Sequence, residues 1–276
     1  MSALAPGGRQ ARVLADGWVV TLRNLRRLTR IPELGVLAIV QSVMFLLLFS
    51  YVFGDAIPVP GGDYRGFLMA GIFTQTVAFG VGATAVGLAD DLHKGLIDRF
   101  RSLPMARSAV LSGRTAADLI QNVLIVVVMS GCGLLVGWRL HRGLTMALAA
   151  FGLILLFGFA MSWIGALIGL CVTTVEAANT AGVVWLFPLT FVSDVFVPVR
   201  SLPGWLRPVA EWNPVSTTAR AARELFGNPT GDVPGQPAPH DFPMQHPALA
   251  SLLCSALVLA VFVPLSVHRY RTVSAR

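Results

Sequence analysis

Charge is what this sequence is short of. Only 13% of its 276 residues are Asp, Glu, Lys or Arg, roughly half of the ~25% carried by an ordinary soluble domain. A water-soluble particle of this size cannot cover itself with so little polar surface. Cysteine is scarce too: Cys132, Cys171 and Cys254 are far apart, odd in number and without metal-ligand spacing. That excludes a disulfide scaffold and leaves three reduced packing residues. No Gly-x-x-x-x-Gly-Lys-Ser/Thr cradle occurs, so the chain does not bind ATP in the P-loop manner. The His-Glu-x-x-His and Gly-x-Ser-x-Gly patterns are absent as well. The five histidines, His93, His141, His240, His246 and His268, fall near or outside the apolar runs. A membrane-embedded catalytic or relay histidine is therefore not expected, and neither a catalytic residue nor a metal ligand is assigned.

What is present is hydrophobic length. Apolar residues make up 55% of the chain and the mean hydropathy is +0.69. Six runs are long enough for spanning helices, each needing about 20 apolar residues. They cover about 34–53, 67–89, 119–138, 144–170, 177–198 and 247–267. The expected fold is all-α and polytopic: a tail and interface helix over 1–33, then a six-span domain over 34–270. The runs are continuous rather than alternating, which disfavours a membrane β-barrel. The fifth run is interrupted by Pro188 and Asp194, either as a kink or as a break.

The net charge of +7 follows topology better than it follows nucleic acid, because the basic residues sit at the ends of apolar runs. The two tails and the second-to-third connection hold 14 Lys and Arg; the opposite side holds seven. The positive-inside rule then puts both termini in the cytoplasm of a multi-pass plasma-membrane protein. The first 30 residues contain six arginines and no early apolar core, so a cleavable signal peptide is not expected.

Three non-spanning segments carry further information. Leu14, Trp18, Leu22 and Leu25 recur at helical spacing, with Arg23, Arg27 and Arg30 on another face and Arg26 beside them. This is an interfacial helix, either a plain anchor on anionic lipid or an anchor that also touches a cytoplasmic partner. Residues 90–117 form a long cytoplasmic connection. Asp90, Asp91, Lys94, Asp98, Arg99 and Arg101 alternate there with Leu92, Leu96, Ile97 and Phe100, which predicts an amphipathic helix halted by Pro104 after Leu103. Its apolar stripe is either a docking surface or rests on lipid headgroups. Residues 199–246 are external. Trp205, Leu206, Val209 and Trp212 read as a short interfacial helix, Ala219 to Phe226 as another, and Gly227 to Pro243 as loop.

Inside the spans, ionisable side chains are nearly absent. Asp194 and Glu176 each lie near an end of the fifth run and read as interfacial carboxylates rather than an ion pathway. Small residues form stripes in the second and fourth runs: Gly80, Gly82 and Gly87, then Gly158, Ser162, Gly165 and Gly169. They serve close packing within the chain or a seam with a second chain. The polar side chains of the bundle are Gln41, Ser42, Gln75, Thr76, Gln121, Asn122 and Asn179. A pathway lined by them suits an amphiphile better than a naked ion.

The order of these elements resembles the ABC-type-2 exporter permeases, in particular their daunorubicin-resistance-like branch. The residues that carry the resemblance are Gly95-Leu96-Ile97-Asp98-Arg99-Phe100-Arg101-Ser102-Leu103-Pro104-Met105 followed by Gly113-Arg114. Val197-Pro198, Leu202-Pro203-Gly204-Trp205-Leu206, and Asn213-Pro214-Val215-Ser216 leading to Arg220 or Arg223 complete it. The resemblance implies a half-transporter: two permease chains, identical or related, on two copies of a separate ATP-binding subunit that holds ATP and Mg. It implies that Leu14 to Arg30 is the interface helix, Asp90 to Met105 the ATPase-coupling helix, and Leu202 to Asn213 a cap on the exit. At Asp91-Leu92-His93 the chain departs from the family, which often has a glutamate before its glycine, so no specific salt bridge to the ATPase is carried over. The implied activity is export of a hydrophobic or amphipathic small molecule, an antibiotic or a lipid, with no ATPase site in this chain. The alternatives are an ion-gradient-driven carrier and a non-transporting membrane scaffold.

Overall fold

The computed structural model describes residues 18–24, 32–54, 57–95, 107–232 and 241–272. Among the described residues there is no strand. Residues 18–24 are helical, and the remaining helices are α1 (Pro32–Val52), α2 (Tyr64–His93), α3 (Arg107–Val136), α4 (Gly143–Cys171), α5 (Val175–Val183), α6 (Leu186–Phe191), α7 (Arg207–Glu211), α8 (Pro214–Phe226), α9 (Phe242–Gln245) and α10 (Pro247–Thr272). Four stretches are long and apolar enough to cross a membrane: Tyr64–His93, Val110–Val136, Gly143–Cys171 and Pro247–Thr272. In α1 the apolar described part is Ile39–Val52.

Burial sorts these helices. In α2, 72% of the apolar window is buried inside the chain, against 17% in α10. The centre is therefore α2, packed along α4, and α10 is a peripheral helix that leaves Leu249, Leu252, Leu253 and Leu257 facing outward. An apolar exterior is the stable outcome when the surrounding solvent is hydrocarbon. The glycine stripe explains how closely the central pair approaches. A Cβ on Gly165 would lie 2.4 Å from the Val81 carbonyl oxygen, and one on Gly169 would lie 2.5 Å from that of Ala85. The small residues of the fourth run are thus consumed in packing within the chain.

The run over about 177–198 differs from a single span. It forms α5, a turn at Val184 and Trp185, α6, and then turns through Phe196. Pro188 has no N–H to return to the carbonyl of Val184 and its ring crowds that carbonyl, which favours a kink or break here, but Pro264 lies within the continuous α10, so proline alone does not decide the break. The segment over 199–246 also differs. Instead of a short interfacial helix over 219–226, α8 spans Pro214–Phe226 and is buried among α2, α4 and α10. Its start is fixed by Asn213, whose Oδ1 accepts the Val215 N–H at 2.9 Å, with Pro214 at the first helical position. Its end is fixed by Gly227, whose φ of +75° is a left-handed conformation that suits glycine. The three cysteines are free.

Candidate functional site: a polar cavity between the helices

The α2 positions Ile72, Gln75, Thr76, Phe79, Ala83 and Thr84 fall on one helical stripe, as do Arg114, Asp118, Gln121, Asn122 and Ile125 of α3. The two stripes face each other across a cavity of about 490 Å3, completed by Gln41, Ser42 and Phe45 of α1, Ser162 of α4, Asn179 and Val183 of α5, and Phe187 of α6. All seven polar side chains singled out in the spans line this one cavity. Among the described residues, the carboxamides of Gln41, Gln75, Gln121, Asn122 and Asn179 make no hydrogen bond to the protein. Their donors and acceptors are available to an occupant, and Phe45, Phe79 and Phe187 supply apolar walls. A chamber of this volume with a few uncharged polar groups is the usual form of a drug-sized binding site.

The charges in the cavity wall cancel locally. Arg114 Nε lies 3.3 Å from Asp118 Oδ1, Arg114 Nη2 donates to the Ala83 carbonyl at 2.9 Å, and Thr84 Oγ1 donates to Asp118 Oδ2 at 2.8 Å. Gly87 makes room for this: a Cβ there would lie 2.2 Å from Arg114 Nη2. Sequence reasoning counted Arg114 as a topological charge and as part of the Gly113-Arg114 resemblance, not as a cavity residue, and missed Asp118, Thr84 and Asn24. The i, i+4, i+7, i+8 recurrence of Arg114, Asp118, Gln121 and Asn122 was the available signal.

At the end of α2, Asp90, Asp91 and Leu92 belong to its last turn rather than to a separate helix. Asp91 is buried and accepts from Arg23 Nη2 at 2.8 Å, so Arg23 faces the protein rather than lipid. Trp18 is exposed, Leu22 is half-buried and Gly95 ends the described stretch with φ +64°. Leu96, Arg99, Phe100, Leu103 and Pro104, with Leu25, Arg26 and Arg27, lie outside the described residues.

At the other end, Trp205 and Trp212 are exposed while Leu206 is half-buried beside the short α7. Asn213 is not a surface residue: its Nδ2 donates to the carbonyls of Leu189 and Val192, each at 2.7 Å, and clips α8 to the end of α6. Asp194 is fully buried inside the chain, in contact with Arg223 Nη1 at 2.6 Å. Glu176 lies in the first turn of α5.

Residues 16–226 match the family described as ABC-2 type transporter. The chain belongs to that family. It is 32% identical over 279 residues, 99% of this chain and 93% of the relative, to the daunorubicin resistance ABC transporter permease protein DrrB1 of Streptomyces coeruleorubidus. It is 27% identical over 227 residues, covering 79% of this chain and 80% of the relative, to the probable doxorubicin resistance ABC transporter permease protein DrrC of Mycobacterium tuberculosis. The putative transport permease ycf38 of Pyropia yezoensis is 26% identical over 212 residues, 75% of this chain and 72% of that one. This ABC-2 permease therefore keeps its polar cavity and its buried Asp194 to Arg223 contact inside the matched region. As a transmembrane subunit of an ABC transporter, it works with an ATP-binding subunit.

Proposed function

We propose that this permease exports a drug-sized amphipathic molecule, of the kind named for its daunorubicin and doxorubicin resistance relatives, through the cavity between α1, α2, α3, α5 and α6. The observation that carries this reading is the convergence of seven polar side chains, from four helices, on one aromatic-walled chamber of drug size. Amides and hydroxyls without net charge can hold a molecule that is polar and apolar by turns, and can release it again.

The chain crosses the plasma membrane six times in this reading, with both termini cytoplasmic and the fifth crossing made by the broken pair α5 and α6. Two permease chains, the same or related, sit on two ATP-binding subunits that hold ATP and Mg. Asp90, Asp91, Leu92, Gly95, Leu96, Arg99, Phe100, Leu103 and Pro104 serve the ATPase contact, while Trp18, Leu22, Leu25, Arg23, Arg26 and Arg27 seat the interface helix. Trp205, Leu206 and Trp212 hold the external cap at headgroup depth, and Asn213 with Pro214 anchors it. A broken helix beside the cavity offers a joint whose two packings an ATPase dimer can bias. The Arg114 to Asp118 pair argues against an ion pathway here, since its charges are already compensated.

The test is transport into inverted membrane vesicles, read by daunorubicin fluorescence, with mass spectrometry of proteins that co-purify with this chain. ATP-dependent uptake that needs a co-purifying P-loop ATPase is the expected result. Uptake driven by an ion gradient with no such ATPase overturns it.

A further inference from the structure

One cavity-lining residue comes from outside the helices of the bundle. Asn24 ends the described helical segment 18–24, is 5% exposed, and lines the cavity. Hydrogen bonds to the bundle seat the segment. Thr21 Oγ1 donates to the Gly113 carbonyl at 3.1 Å, and Arg23 Nη2 donates to Asp91 at 2.8 Å. The same Arg23 nitrogen donates to Asn24 Oδ1 at 3.2 Å. That bond fixes which end of the carboxamide is oxygen. The other end, Nδ2, is buried with no hydrogen-bond partner. A buried donor left unmet calls for an explanation, and here the side chain lies against a chamber.

The neighbourhood narrows what the donor could meet. Gly113, held by Thr21, precedes Arg114, so Asn24 shares its end of the cavity with the Arg114 to Asp118 pair. That pair carries no net charge to attract an ion, but Arg114 Nε, like Asn24 Nδ2, is a buried donor with no hydrogen-bond partner among the described residues, so what this end of the chamber lacks is an acceptor. A cavity of about 490 Å3 is within the range that takes a drug-sized molecule.

We propose that Asn24 is a ligand-binding residue: its Nδ2 donates to an uncharged oxygen (carbonyl, ether or hydroxyl) of a small amphipathic substrate, so that the interface helix forms part of the substrate site. The proposal rests on the cavity being the transport site. It makes occupancy of the cavity and the seating of residues 18–24 two readings of one equilibrium, because the same side chain that meets the ligand is held by the arginine that clamps this segment to α2.

The experiment measures binding rather than transport, on the purified full chain in phosphatidylcholine nanodiscs. The probes are daunorubicin and its uncharged aglycone, both followed by their own fluorescence. Asn24→Leu removes the donor. Asn24→Asp also removes it but keeps an oxygen for Arg23, so the clamp survives. The expected result is a Kd for the aglycone raised about tenfold in both variants, corresponding to about 1.4 kcal/mol, with a smaller change in Asn24→Gln. A Kd unchanged in both Asn24→Leu and Asn24→Asp overturns the assignment and leaves the transport reading intact. A Kd raised in Asn24→Leu but unchanged in Asn24→Asp also overturns it, since only the clamp would then matter. Failure of the unsubstituted protein to bind either probe overturns both readings.

Discussion

Arg223 Nη1 stands 2.6 Å from Asp194 Oδ2, and neither side chain reaches solvent. The arginine is satisfied on every side: Nε donates to the Phe67 carbonyl at 2.7 Å, Nη2 donates to the Asp194 backbone oxygen, and the guanidinium lies 3.5 Å from the centroid of the Phe67 ring. Asp194 in turn accepts the Val199 N–H at 3.2 Å. One pair therefore ties α2, the turn after α6, and α8 together. Breaking a buried pair by removing one partner costs about 3–5 kcal/mol, because the other charge is left buried alone. Arg223→Ala and Asp194→Asn should each lower the thermal midpoint of the detergent-solubilised protein. The double variant Asp194→Leu with Arg223→Met should recover much of the loss. A thermal midpoint unchanged in either single variant would contradict this account.

The central helix contact should tolerate almost nothing larger than glycine at its closest points. A Cβ at Gly165 meets backbone oxygen, not a flexible side chain. Gly165→Leu should cost at least the ~1–3 kcal/mol typical of overpacking, seen as loss of a monodisperse peak on size exclusion. Gly152, whose Cβ would meet nothing within 4 Å, is the control position and should accept alanine.

Coupling to the ATPase can be separated from folding. Leu96→Asp and Phe100→Asp place charge on the apolar stripe of the cytoplasmic connection. Loss of an apolar anchor from an interface costs about 2 kcal/mol or more. ATP-dependent transport and recovery of the ATP-binding subunit should both fall by more than tenfold, while membrane insertion and daunorubicin binding persist. Normal ATPase recovery in both variants would remove this segment from the contact.

The segment around α7 should respond to pH through Glu211. Burial first, and then the hydrogen bond and charge of the adjoining Asp241, together raise its carboxyl to about 7 against the lowering effect of Arg207 and Arg200. A group raised in the folded state stabilises the fold most below its ordinary value near 4.5, and that contribution disappears as pH rises through about 7. Between pH 4.5 and 7 the thermal midpoint of the unsubstituted protein should therefore decline more than that of Glu211→Gln. Because Glu211 is only half-buried, the difference should be small. Parallel curves for the two proteins would show that Glu211 carries no such load.

Much of this molecule could be read along the chain. The membrane class, the long helices over the second, third, fourth and sixth runs, and the polar residues of the cavity all follow from local composition and period. Gln75 and Thr76, or Gln121 and Asn122, stand out because a polar amide in an apolar run is costly unless something meets it. Asn213-Pro214 has the form of a helix start, yet the sequence reading began that helix only at Ala219, and the buried clip to Leu189 and Val192 was not legible.

What remained hidden depends on residues that meet across the fold. The choice between Arg220 and Arg223 is an example. Arg220 reaches the partly exposed Asp232, while Arg223, one turn on, points into the bundle and meets Asp194, 29 positions earlier in the chain. Both arginines carry the same charge and sit on one amphipathic helix, so no local pattern ranks them. The break at Val184 and Trp185, the burial of Asp194, and the arrival of Asn24 at the cavity were likewise decided by tertiary packing. Hydropathy and helical period act within a few turns, and they determined that this chain lies in a membrane as helices with small polar marks. Which marks face one another, and which charges are sealed away, depends on how whole helices dock, because desolvation is settled only when a second surface arrives.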